Sequence, residues 1–155
     1  VRQGQNMTKP NALSVAVEMA TRQRDEARRV LQHAQGAQRA AQDQLQVLQG
    51  YAQETENRWG MRAQATVAPE VMFHHYHFMG RLDHAAGLQS GVVDDHAQRV
   101  ALAQQQLRDA EVRLASLRKL LEKRQMEALQ AQARRDQKMT DERAALRHRS
   151  SAHGH

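Results

Sequence analysis

The chain has no cysteine, two prolines and only five aromatic residues among its 155, and it contains no long hydrophobic run. Each shortage excludes something. Without cysteine there are neither disulfides nor thiolate metal sites. No segment approaches the ~18 consecutive apolar residues of a membrane-spanning helix, and Leu13 to Ala20 is too short and interrupted for a signal peptide. Nor is there a phosphate-binding glycine loop, a nucleophile beside a base, or a pair of carboxylates converging on a pocket. The expectation is a protein that is not an enzyme, needs no cofactor, and works in the cytoplasm or against the inner face of the cell membrane.

Ala, Gln, Arg and Leu dominate instead, the composition of long helices and coiled coils. From Leu13 a seam recurs in alternating steps of three and four, through Val17, Ala20, Leu31, Ala41, Leu45 and Leu48 to Trp59. Eleven of its fourteen positions are apolar. A second seam runs from Met72 through Leu82, Val93, Val100, Leu107 and Leu114 to Leu121. Steps averaging 3.5 residues keep one narrow stripe facing a partner helix, as in a coiled coil. Arg24 and Gln38 lie in the first seam, where polar groups fix register at some cost in stability.

Residues 1–12 lack periodicity and carry Gly4 and Pro10, so they read as a flexible leader, with Met7 a candidate start. Gly60 interrupts the first seam. Pro69 then suits a first helical turn, and Glu70 favours its dipole. The predicted elements are a helix over 13–59, a loop over 60–68 and a helix over 69–146, followed by a disordered tail over 147–155. A loop that short returns the chain antiparallel, with facing positions summing to roughly 129. Leu48 then faces Leu82, and Leu31 comes near Val100. Leu13 reaches Leu114 and Leu117, so the two seams end nearly together. The expected fold is all-α: an antiparallel two-helix coiled-coil hairpin, monomeric, with one short loop and a C-terminal helical overhang past Leu121.

Residues 118–149 hold ten Lys or Arg against five Asp or Glu, most of the chain's net +6. They contain no aromatic residue to stack on a base, so an acidic or polar protein groove suits them better than nucleic acid. All five aromatics, Tyr51, Trp59, Phe73, Tyr76 and Phe78, lie near the loop, and Phe73 should stand opposite Trp59. Phe78, Leu82, Ala85 and Gln89 form a stripe along the seam edge, joined by Leu88 and Val92. That face is wider than one partner helix needs, as at a docking surface. His74, His75, His77 and His84 crowd the same end, and His74 and His77 share a helix face. No carboxylate or cysteine stands where it would complete a ligand set, so no metal is expected.

Several runs together resemble the flagellar FliJ family: LQVLQGY at 45–51, NRWG at 57–60, FMGRLDHAAGLQ at 78–89, and VALAQQQLRDAEVRLASLRKLLEKR at 100–124. The likeness covers roughly residues 13–145, with Ala86 small where the family has a larger aliphatic. It implies a coiled-coil stalk of the flagellar export apparatus. Its partners would be the export ATPase ring, whose activity it would stimulate, the membrane export gate, and export chaperones. The gate contact would fall on Phe78, Leu82, Ala85 and Gln89. The ATPase contact would fall on the helix ends, including Arg22, Arg24, Arg28, Arg124, Arg134 and Arg135. The alternatives from the residues alone are a coiled-coil scaffold or regulator of another assembly, and a basic nucleic-acid-binding helix.

Overall fold

In the computed structural model the chain forms two helices, α1 over Arg2–Arg62 and α2 over Pro69–His153. The structure describes the backbone of residues 2–62 and 67–153, and the side chains of residues 12–62 and 67–152. Both helices run past the expected ends. The predicted leader is helical from Arg2, and the predicted tail is helical as far as His153. The seam was a poor guide there because it reports burial, whereas helicity spreads from an existing helix without a second nucleation cost. Of the predicted loop, residues 60–62 complete α1, and 63–66 lie outside the described residues.

At the start of α2 the Ala68 carbonyl accepts from the Val71 amide at 3.1 Å and the Met72 amide at 3.2 Å. Pro69 occupies the first helical position, where its missing amide hydrogen costs nothing. Glu70 is the acidic residue of that first turn.

The seam forms the core. Every seam position of α1 from Leu13 to Trp59 is buried or half-buried, and so is every one of α2 from His75 to Leu121. Met72 is the exception, 39% exposed. Among the described residues nothing larger than a leucine is deeply buried and no polar side chain is buried, so stability is spread along a thin strip.

Two compact units divide the chain, and both helices contribute to each. The hairpin unit comprises residues 23–110, and the terminal unit comprises residues 1–22 with 111–155. Within the hairpin unit the helices are antiparallel. Ala41 meets Gln89, Tyr51 meets Phe78, and Trp59 meets His75, so numbers on α2 fall as those on α1 rise. Ala41, Leu45, Val100 and Ala103 are its buried residues. Gln89 Nε2 donates across the seam to the Ala41 carbonyl at 2.9 Å and to Gln44 Oε1 at 3.2 Å. That polar crossing ties one register, because a slip of the helices would leave the amide without its acceptors.

Within the terminal unit Leu13, Ala20 and Leu114 are buried. Leu13 and Ala16 line one cleft with Leu121, Arg124 and Ala128, farther along α2 than the expected level of Leu114 and Leu117. From Glu122 to Ala152 every side chain except Ala131 is exposed.

Candidate functional site

The stripe of Phe78, Leu82, Ala85 and Gln89 has spacings of four, three and four, which put it over the edge of the α2 seam. All four side chains are half-buried. The Phe78 ring meets Tyr51 edge-on, with centroids 6.1 Å apart and planes at 84°, a favoured aromatic geometry. Leu82 and Gln89 are seam residues, and Gln89 is held by its bonds to α1. The stripe is therefore most open at its rim, where Phe78 and Ala85 leave the seam.

The rim is broader than the stripe. On α2 it continues into Leu88, 62% exposed, and Val92, while α1 contributes Val47, 71% exposed, and Tyr51. Val47 and Leu48 share a shallow cleft with Asp43, Gln44 and Gln89. The sequence reading found only the α2 half. The α1 half was legible as a second stripe, Val30, Ala37, Gln44 and Tyr51, repeating every seven residues beside the main seam.

At the loop end Trp59 stacks on His75, not on Phe73, with ring centroids 4.0 Å apart and planes at 5°. Position 75 belongs to the seam, and Phe73 lies two residues away, more than half a turn around the helix. Phe73 is accordingly 67% exposed and stacks on His77. His75 is thus engaged in packing. Among the described residues no group of three or more His, Asp or Glu side chains gathers as metal ligands.

The six arginines assigned to ATPase contact do not fall in one unit. Arg22, Arg124, Arg134 and Arg135 belong to the terminal unit, and Arg24 and Arg28 to the hairpin unit. Arg24 is half-buried and bonded to Asp25 at 2.8 Å, which leaves little of its charge for a partner. Arg28, Arg134 and Arg135 are exposed, and Arg124 rims the cleft beside Leu13.

Charge separates by unit. The terminal unit has fourteen Lys and Arg against seven Asp and Glu, a formal +7. The hairpin unit has nine against ten, a formal −1. Among the described residues no helix is long and apolar enough to cross a membrane.

Comparison with known proteins follows the fold. The family described as Flagellar FliJ protein matches residues 8–153. A solved structure of a YscO homolog, CT670 from Chlamydia trachomatis, superposes with a TM-score of 0.71 at 20% identity, covering 92% of each chain. That identity carries the fold alone. No curated protein matches the chain.

Proposed function

Because the chain belongs to the flagellar FliJ family, a non-enzymatic component of flagellar protein export, we propose that it is a stalk coupling the export ATPase ring to the membrane export gate. In this reading the Phe78 rim of the hairpin unit docks on the gate at the inner face of the membrane. The exposed basic helix of the terminal unit enters the ATPase ring and stimulates it. The same protein helps pass export chaperones on, and motility depends on it.

The observation that carries the reading is the separation of charge between the units. A +7 unit with its last thirty or so α2 side chains exposed suits an acidic ring interior. The near-neutral hairpin unit exposes Val47, Tyr51, Leu88 and Val92, which suit an apolar pocket.

The test is the hydrolysis rate of the purified export ATPase with the full chain added. A rate that rises and saturates at a fixed ratio of chain to ATPase ring is expected. No change at any ratio contradicts the stalk role. Binding of DNA with a steep salt slope would favour the basic nucleic-acid reading instead.

A further inference from the structure

One cleft of the hairpin unit plays no part in the proposed gate contact. Midway along the unit, Val30 of α1 and Leu102 of α2 wall a shallow cleft of ≈ 330 Å³. Both walls are open to a partner, at 43% and 60% exposed. The more buried Ala34, Ala37 and Ala103 form the floor, and His33, His96 and Arg99 complete the lining with Gln106. The cleft is clear of the gate rim, since Val30 stands seventeen residues before Val47, roughly 26 Å along α1.

Its chemistry is of one sign. Every titratable side chain in the lining is basic, although the unit as a whole carries a formal −1. The neighbouring clefts differ: Asp43 lines the one beside Val47, and Glu56 and Asp83 line the one on the opposite flank. His33 and Arg99, one from each helix, are exposed, and neither forms an ion pair with another described residue. Of the nearby acids, Glu26 is held by Arg29 at 2.8 Å, and Asp95 lines a separate shallow cleft that shares Arg99.

We propose that this cleft docks an acidic amphipathic helix of a partner protein. An aliphatic side chain of that helix sits between Val30 and Leu102, and its carboxylates meet His33, His96 and Arg99. A groove along two helices takes a third lengthwise, reading side chains one turn apart. Carboxylates one turn from the anchor then reach donors on both α1 and α2, where charge-assisted hydrogen bonds are the strong ones. No aromatic residue lines the cleft to stack a base, which disfavours single-stranded nucleic acid. The two imidazoles make the contact pH-dependent. Histidine gains its charge as pH falls from about 8 to about 5, a range in which the partner's Glu and Asp stay ionised, so the helix binds more tightly toward the acid end.

The test uses the full chain and a synthetic peptide of about eighteen residues, about five helical turns, with leucines on one face and glutamates flanking them. A control peptide carries glutamine in place of every glutamate. By isothermal titration calorimetry the glutamate peptide should bind ~10-fold more tightly than its control at about pH 6, and the gap should narrow at about pH 8. His33→Gln and Arg99→Gln, both at exposed sites, should each shrink that gap. Leu102→Ala should weaken both peptides alike, and Gln53→Ala on the opposite flank should change nothing. In the unsubstituted chain the ring-proton resonances of His33 and His96 should shift as peptide is added, which reads the cleft without any variant. Equal affinity for the two peptides overturns the proposal, as does a preference untouched by His33→Gln and Arg99→Gln. So do histidine resonances that stay in place, or a single-stranded oligonucleotide that displaces the peptide at equal concentration. No gate protein is present, so these results stand whether or not Phe78 binds the gate.

Discussion

The two units are made from the same two helices and differ in what they do with them. The hairpin unit is close to neutral, has both helices clad in a shared seam, and shows apolar surface along one flank. The terminal unit carries the whole excess of positive charge, and its α2 side chains past Leu121 are exposed almost without exception. A coiled coil can therefore carry two surfaces of different charge along one chain without a second domain. Heptad positions hold the fold, and the positions outside the seam are free to differ in charge from one unit to the other.

The largest effect should come from breaking the seam where both helices depend on it. Leu107→Pro removes a helix hydrogen bond and clashes with the preceding turn, costing ~3 kcal/mol or more. Ala133→Pro, among exposed side chains, should lower helicity by circular dichroism yet leave the melting of the seam nearly in place. Equal losses of melting temperature would mean that the exposed helix is as integral to stability as the seam.

Next in size is Leu45→Ala, at a site 7% exposed in the hairpin unit. A cost of about 2 kcal/mol is expected, the low end for a buried leucine, because a thin seam can close over part of the gap. Leu146→Ala, at a site 63% exposed in the terminal unit, should change almost nothing. Chemical denaturation of the two variants side by side measures the contrast directly.

Smaller effects sharpen it further. Gln89→Ala should cost about 1 kcal/mol by removing the amide that spans to Ala41 and Gln44. Gly87→Ala should go the other way, stabilising by up to ~1 kcal/mol, since a Cβ there meets no atom within 4 Å and alanine is the better helix former. A destabilised Gly87→Ala would mean that this part of α2 bends in solution.

Much of this was legible in the sequence because burial in a coiled coil follows a strict period. Leu13 to Trp59 and His75 to Leu121 are shielded position by position where the alternation of three and four placed them. The helix ends were not legible: residues 2–12 and 147–153 lack a seam, and helix propensity without a seam leaves a weak periodic trace. The expected pairing of Trp59 with Phe73 fails because the seam register decides the contact. His75 occupies the seam, and Phe73 does not. The α1 side of the apolar rim was not legible for a related reason. Val47 stands beside two seam leucines, and next to so strong a pattern a second, weaker stripe is easily absorbed into the first.

The central claim is that the two units recognise different partners, and one crossed measurement tests it most directly. Phe78→Ala and the double substitution Arg134→Glu with Arg135→Glu are each assayed for binding to the export gate and for stimulation of the export ATPase. Phe78→Ala should lose gate binding by ~2 kcal/mol or more, in the range of interface hot spots, and keep its stimulation. The arginine reversals should lose stimulation and keep gate binding, with the melting temperature little changed in both. Loss of both activities together in either variant, at unchanged stability, would contradict the division of labour between the units.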